Sequence, residues 1–389
     1  MTQPEGYEEG GKGKICKLRK SIYGLKQSGR CWNKRLDEVM QGRGLKQSQE
    51  DPCIYFVRTK ENFLYIGVHV DDLVTVASSP DMEEKYLSKI RREIELVTLG
   101  EAEFILGMQV IQENDGIRVH QRNYIREILK RYGMDNCNPV KVPSDVNQKL
   151  DNDEDSKEVN QTEYQELLRR LMYLAVHTRP DISYTLGALS QYNNGPKEIH
   201  MNALKRVMRY LKGTENYMLK YEKGQSNIHA YTDASWDKTK DARSFSGYVI
   251  KDGSSVIHWR SKKQETVAMS TTESELNAMS EGVKELKWMM DLAEELEQRK
   301  EKKKATLFCD SANAINIVKN KNQKSRTKYL NRKVCHVREA IKDERIEIQH
   351  IAGKEMEADF LTKGLGGPEM KRNTDKLLRD GEQNNEEKN

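Results

Sequence analysis

His229-Ala230-Tyr231-Thr232-Asp233 reads as the end of a strand over residues 228–232 that closes on an acid, so the Asp233 carboxylate projects from a sheet edge toward a cleft. The same grammar returns at Thr306-Leu307-Phe308-Cys309-Asp310, an apolar strand that delivers Asp310 and then a helix over 312–318. Between them lie strands at 247–250 and 256–259 and a long helix starting near Thr272, with Glu275 in its first turn. A further strand at 346–351 leads through a turn at Gly353 into a helical run over 356–362 that holds Asp359. Alternation of strand and helix on this scale predicts an α/β domain with a mixed sheet. Four acids from distant segments, each beside an apolar run able to hold it rigidly, form the donor set of a divalent-metal pair. Two ions at about 3.5–4 Å separation need bridging and flanking carboxylates and no covalent nucleophile, which points to phosphodiester chemistry. Two of the acids have a second reading. Thr272 and Glu275 have capping-box spacing, and Asp310 opens Asp310-Ser311-Ala312-Asn313 as an N-cap would. Asp359 has no obvious local partner.

The chain has 389 residues, enough for two or three domains. With 36% hydrophobic residues and a mean hydropathy of −0.86 it is polar, but not disordered as a whole. No run approaches the roughly 18 apolar residues of a membrane span. Residues 1–14 are Gly/Glu-rich rather than signal-like, so a soluble intracellular protein with no membrane partner is expected. Six cysteines without a C-x-x-C pair are expected as free thiols. The net charge of +5 balances 66 basic against 61 acidic residues, so local clusters matter more than the total. Three stand out: Lys17, Arg19, Lys20, Lys26, Arg30, Lys34 and Arg35; Lys205, Arg206, Arg209 and Lys212; Lys319, Lys321, Lys324, Arg326 and Lys328. A nucleic-acid backbone is their natural partner, and a solvated helix face is the alternative.

Strands at 54–57, 63–70 and 73–77, a helix at 82–95, strands at 105–112 and 117–120 and a helix at 124–132 predict an α+β first domain over 1–145. Pro139, Pro143 and the acidic stretch 151–158 mark the boundary. Amphipathic segments at 164–176, 182–192 and 199–211 predict a helical connector over 146–225. The mixed-sheet domain takes 226–367, and the polar segment 368–389 is expected to be disordered.

The strings Tyr231-Thr232-Asp233-Ala234-Ser235-Trp236, Arg243-Ser244-Phe245-Ser246-Gly247-Tyr248, Trp259-Arg260-Ser261-Lys262-Lys263-Gln264, Ser270-Thr271-Thr272-Glu273-Ser274-Glu275 and Ala358-Asp359-Phe360-Leu361-Thr362-Lys363 resemble the ribonuclease H domain of copia-type LTR retrotransposons. The resemblance implies that Asp233, Glu275, Asp310 and Asp359 bind two Mg²⁺ ions, with Mn²⁺ as the alternative, and cleave the RNA strand of RNA:DNA hybrids. Lys328-Tyr329-Leu330-Asn331 departs from the family's Lys-His-Ile-Asp. Some ribonucleases H use a mobile His before the last Asp; His350 sits too early to match it and is assigned no catalytic role.

Upstream, His69-Val70-Asp71-Asp72 places two acids on a tight hairpin, a commonplace arrangement by itself. Its context is not commonplace: Met1-Thr2-Gln3-Pro4-Glu5-Gly6-Tyr7, Ser21-Ile22-Tyr23-Gly24-Leu25-Lys26-Gln27, Asp51-Pro52-Cys53-Ile54-Tyr55 and Leu106-Gly107-Met108 are similar to the copia-type reverse transcriptase. The likeness continues through Thr178-Arg179-Pro180-Asp181 and Tyr210-Leu211-Lys212-Gly213-Thr214, covering about residues 1–365. It implies a truncated palm-and-thumb portion of a polymerase, a helical connection and a ribonuclease H-like mixed sheet with helices. Asp71 and Asp72 would be metal-binding acids of the polymerase, with Lys26 and Gln27 near the template and incoming nucleotide. The family carries a further metal-binding Asp on a strand before the segment matching residues 1–7. His69 also replaces the usual Tyr and Ser28-Gly29 the usual Ala-Pro, so polymerisation by this chain alone is not expected. Implied partners are an RNA:DNA hybrid, RNA template and DNA, a second copy of the chain, or other Gag and Pol products, in a cytoplasmic virus-like particle or the nucleus. The rival readings are a non-catalytic nucleic-acid-binding relic or co-opted protein, and the product of a dead element that never folds.

Overall fold

The computed structural model describes residues 1–11, 13–148, 150, 156–224, 226–235, 241–298, 303–320 and 328–381, with backbone alone at 328–331. Trp236, residues 151–155 of the acidic stretch, cations Lys321, Lys324 and Arg326, residues 299–302, and the side chains of Lys328, Tyr329 and Asn331 therefore lie outside the described residues. Two compact units emerge. One comprises Met1–Gly100 with Asp291–Lys300, the other Glu101–Met290 with Glu301–Asn389.

In the first unit, α1 (Ser28–Gly42) precedes the strands β1 (Lys46–Gln47), β2 (Ile54–Arg58), β3 (Phe63–His69) and β4 (Asp72–Ala77), and α2 (Pro80–Arg91) follows. The strands form an antiparallel sheet in the order β1-β2-β3-β4. Tyr55, Leu64 and Ile66 are buried in one cluster with Leu36, Val39 and Met40 of α1 and Met82, Leu87 and Ile90 of α2. Ser79 caps α2 by accepting from the Met82 N–H at 3.2 Å, and Pro80 occupies the first turn, where its missing N–H costs nothing.

The second unit opens with β5 (Phe104–Ile105), β6 (Met108–Glu113) and β7 (Gly116–His120), then α3 (Arg122–Arg131), α4 (Gln161–His177), α5 (Ser183–Leu189) and α6 (Glu198–Gly213). Next come β8 (Tyr217–Glu222), β9 (Ile228–Ala234), β10 (Phe245–Asp252), β11 (Ser255–Lys263) and α7 (Thr271–Glu297), whose residues from Asp291 onward belong to the first unit. Then follow β12 (Ala305–Cys309), α8 (Ala312–Lys319), α9 (Lys328–Lys342), β13 (Ile346–His350), α10 (Gly367–Leu377) and β14 (Arg379–Asp380). The central sheet has the order β11-β10-β9-β12-β13, antiparallel through β11, β10 and β9 and parallel from β9 to β12 and β13. This is the expected mixed sheet. A second sheet, β14-β8-β7-β6-β5, is antiparallel throughout.

Alternation along β10 divides the core. Tyr248 and Ile250 join Leu276, Met279, Val283 and Leu286 of α7, while Val249 joins the helices α3 to α6 on the other side. The segment expected as a separate helical connector is thus the layer covering one face of the central sheet, and the boundary expected near residue 145 falls inside the second unit. Segment 367–380 is a second correction: where a disordered tail was expected, α10 and β14 form. Met370, Thr374 and Leu377 are buried at helical spacing, with Thr374 Oγ1 donating to the Met370 carbonyl at 2.8 Å. The run expected as a helix over 356–362 is only a single 3₁₀ turn, Asp359–Leu361. Among the described residues no helix is long and apolar enough to cross a membrane.

Candidate metal centre

The register of two parallel strands brings the first pair of acids together. Thr306, Leu307 and Phe308 of β12 pair with His229, Ala230 and Tyr231 of β9. The same offset sets Asp310, just beyond β12, level with Asp233 near the end of β9. Across β9, Asp233 lies opposite Gly247 of β10. A Cβ at Gly247 would stand 2.7 Å from Leu361 Cβ and 2.9 Å from Thr362 Cγ2, so the bare glycine lets the Asp359–Leu361 turn lie on the sheet. On the opposite face, a Cβ at Gly282 would collide with Thr232 Cγ2, and its absence lets α7 approach β9.

The helix-cap alternatives resolve in favour of other residues. Ser270 Oγ accepts from the Glu273 N–H at 3.1 Å, and Glu273 reaches back to the Met269 N–H at 3.0 Å, so the start of α7 is satisfied without Thr272 or Glu275. Glu275 instead accepts from the Ala234 N–H at 3.3 Å, next to Asp233. The N-cap of α8 is Ser311, whose Oγ accepts from the Ala314 N–H at 3.3 Å, which leaves the Asp310 carboxylate uncommitted to the helix.

Thr362 Oγ1 donates to Asp233 Oδ2, and Lys363 Nζ lies 2.9 Å from Asp359 Oδ1. Ligand atoms of Glu275, Cys309 and Asp310 fall within 4.8 Å of one another. The acids feel this crowding. Burial, reinforced by the Asp359 charge, pushes Asp233 up to about 6. Burial, with Asp233 and Asp310 beside it, pushes Glu275 up to about 9. Asp310 is raised by burial and by Asp359. The Cys309 thiol is raised by burial and by Glu275, which keeps it protonated. Burial opposes the charge of Lys363, yet the bond to Asp359 and the fields of Asp233 and Asp310 outweigh it and raise its pKa. Among the described residues, one ammonium against four carboxylates leaves the site short of positive charge. Its oxygen-rich donors suit a hard divalent cation such as Mg²⁺ or Mn²⁺ better than a thiophilic one.

Thr362 and Lys363 are site residues that sequence reasoning did not single out, although the i,i+4 spacing of Asp359 and Lys363 signals an ion pair. His350 Nε2 lies 3.1 Å from the Asp310 carbonyl oxygen, a contact with backbone rather than with the carboxylate. Asp71 and Asp72 are in the first unit, exposed on the β3–β4 hairpin, whose turn holds Val70 at φ 55°. The Tyr23 hydroxyl donates to Asp71, and Trp32 Nε1 donates to the Val70 carbonyl at 2.7 Å. Lys26 and Gln27 are exposed in the approach to α1; Tyr23, rather than either of them, is the residue of that segment bonded to Asp71.

The family model described as "Reverse transcriptase (RNA-dependent DNA polymerase)" matches residues 1–146. The retrovirus-related Pol polyprotein from transposon TNT 1-94 of Nicotiana tabacum is 34% identical over 374 residues, covering 93% of this chain and 28% of that protein. The retrovirus-related Pol polyprotein from transposon RE1 of Arabidopsis thaliana is 33% identical over 368 residues, covering 94% of this chain and 25% of that protein. The chain thus spans about a quarter of the length of these two relatives. Among solved structures, the foamy viral protease-reverse transcriptase in complex with RNA/DNA hybrid is similar at a TM-score of 0.45 and 16% identity, over 74% of this chain and 36% of that one. The likeness to the transposon proteins runs through both units, and the chain belongs to the copia-type retrovirus-related Pol polyproteins of transposons.

Proposed function

We propose that the second unit hydrolyses the RNA strand of RNA:DNA hybrids at Asp233, Glu275, Asp310 and Asp359. The observation that carries this reading is the convergence of four carboxylates from four separate elements, two of them level at the ends of adjacent parallel strands, with Asp233, Glu275 and Asp310 raised by burial and by the acids beside them. Two divalent ions held by these acids would lower the pKa of the attacking water and stabilise the leaving oxygen. The chain's own groups prepare that chemistry. The Ala234 N–H fixes Glu275, the Thr362 hydroxyl fixes Asp233, and Lys363 holds Asp359 while offsetting part of the cluster's charge. Such neighbours orient ligands and are worth about 10–100-fold in metal affinity or activity. Discrimination for RNA would come from reading 2′-hydroxyls.

A labelled RNA:DNA hybrid incubated with the chain and Mg²⁺ tests the proposal. Cleavage should occur and fall by at least ~100-fold in Asp310→Asn. No cleavage by the unaltered chain, or cleavage indifferent to Asp310→Asn, rejects it. In the first unit, Asp71 and Asp72 are proposed as acids of the polymerase centre, with Lys26 and Gln27 beside the template. Asp71→Asn with Asp72→Asn should therefore leave hybrid cleavage unchanged.

A further inference from the structure

We propose that the groove along α6 binds the phosphate backbone of a nucleic acid engaged at the carboxylate cluster, an inference that rests on the hybrid-cleavage reading. The helix has two faces. Met201, Leu204, Val207, Met208 and Leu211 are buried in the core, while Asn202, Lys205, Arg206 and Arg209, at spacings i, i+3, i+4 and i+7, form a stripe on the other side. With Asp145, Asn147 and Gln148 this stripe lines a groove of about 600 Å³ whose side chains are all polar.

Among the described residues, three cations face one carboxylate there. That carboxylate is partly spent: Asp145 Oδ1 accepts from the Asn147 N–H at 3.0 Å, and its Oδ2 stands 3.8 Å from Arg206, a long and partly exposed pair that contributes little. Arg206 Nε is buried without an acceptor among the described residues. Arg209 donates through Nε to the Asn138 carbonyl at 2.7 Å, which fixes its guanidinium in the groove. An acidic ligand rich in oxygen acceptors fits such a lining and an apolar one does not. Lys205 and Arg209 are one helical turn apart, about 6 Å along the axis, the axial span of about two phosphates of one strand.

The position selects nucleic acid over an acidic protein. Lys363 of the carboxylate cluster is followed by Gly364, where a Cβ would lie 2.9 Å from Ser144 Oγ and 3.5 Å from Val146 Cγ1. Asp145, between those two residues, lines the groove. The turn that supplies Asp359, Thr362 and Lys363 therefore runs directly to the groove's rim, and a strand leaving the cluster on that side meets α6.

The test is fluorescence anisotropy of a labelled RNA:DNA hybrid with the full chain carrying Asp310→Asn, titrated between about 50 and 200 mM salt. Adding Lys205→Ala, Arg206→Ala and Arg209→Ala should weaken binding and reduce the log–log salt slope by about 2–3. Because Arg209 also holds Asn138, Lys205→Glu serves as a second variant that leaves packing untouched and should weaken binding severalfold. Unchanged affinity and slope in folded variants of a chain that does cleave hybrids overturn the groove alone. Lost binding in the variants of a chain that never cleaves would keep the groove and overturn the hydrolase reading. Variants that bind hybrid normally but lose affinity for polyglutamate would assign the groove to an acidic protein and overturn this proposal.

Discussion

Glu275 is only 7% exposed, yet it shares its surroundings with Asp233 and Asp310. Its folded-state pKa of about 9 and the value of about 6 for Asp233 lie above those of an unfolded chain. The folded protein therefore binds these protons more tightly, and without metal the penalty is fully present above pH 9 and relieved as pH falls through the folded values. The metal-free midpoint of thermal unfolding should rise from above pH 9 down to about pH 7. Below that, the buried His120 and His258, lowered by desolvation, begin to work in the opposite sense. Scanning fluorimetry in chelator checks this, and Mg²⁺ should flatten the trend because a bound cation favours the ionised acids. A midpoint that falls over the same interval contradicts it. By the same logic, Glu275→Gln should raise the metal-free midpoint, by about 2–4 °C per kcal/mol relieved, while abolishing hybrid cleavage. Thr362→Val removes the hydroxyl that holds Asp233 and should cost about 10–100-fold in cleavage, with recovery in Thr362→Ser; equal losses in both would assign Thr362 to packing instead.

At the scale of elements, α7 shows where the sequence is legible and where it is not. Ser270-Thr271-Thr272-Glu273 and Thr272-Glu273-Ser274-Glu275 both have capping-box spacing; two residues of offset decide whether Glu275 is a cap or a site residue, and only the packing of α7 on β9 chooses. Ser270→Ala should therefore cost about 0.5–2 kcal/mol and Thr272→Ala much less, measured by denaturant unfolding. Gly282 gives a sharper case. Alanine there gains up to about 1 kcal/mol of helix propensity but drives its Cβ into Thr232, and overpacking costs about 1–3 kcal/mol. Gly282→Ala should be net destabilising, and a higher midpoint would mean that α7 can ride away from the sheet. The strands β9, β12 and β13 and helices α4 and α6 were readable because their apolar residues recur at strand or helix period. β8, α1 and α9 were not anticipated and α10 was read as a tail. Asn373 and Thr374 are buried polar residues of α10, and among its described side chains α9 buries Val334, Val337 and Ala340 in the core within a strongly charged segment. Their apolar signal is diluted, and burial comes from tertiary partners that a local pattern does not reveal.

For the whole molecule, a charge run proved a poor guide to where a folding unit ends. The acidic stretch after residue 150 read as a boundary because it cannot bury a core, but the segments on either side of it share one. Ile125, Ile128 and Leu129 of α3 pack in the same cluster as Leu167, Leu171 and Leu174 of α4 and as Ala358, Phe360 and Leu361 around Asp359. The strands β5, β6 and β7 are paired onto β8 and β14, so residues 101–145 contribute to both the sheet and the core of the unit that carries the carboxylates. Burying each of the three α3 side chains is worth about 1.5–3 kcal/mol, which together approaches the 5–15 kcal/mol net stability of a typical domain. A fragment of residues 146–389 should consequently lack a cooperative thermal transition. A fragment of residues 101–389 should melt cooperatively and retain metal-dependent cleavage of hybrids. Calorimetry of the two fragments decides between this partition and a boundary near residue 145: a sharp, native-like transition in the shorter one would show that α3 and β5 to β7 are dispensable to the fold that holds Asp233, Glu275, Asp310 and Asp359 together.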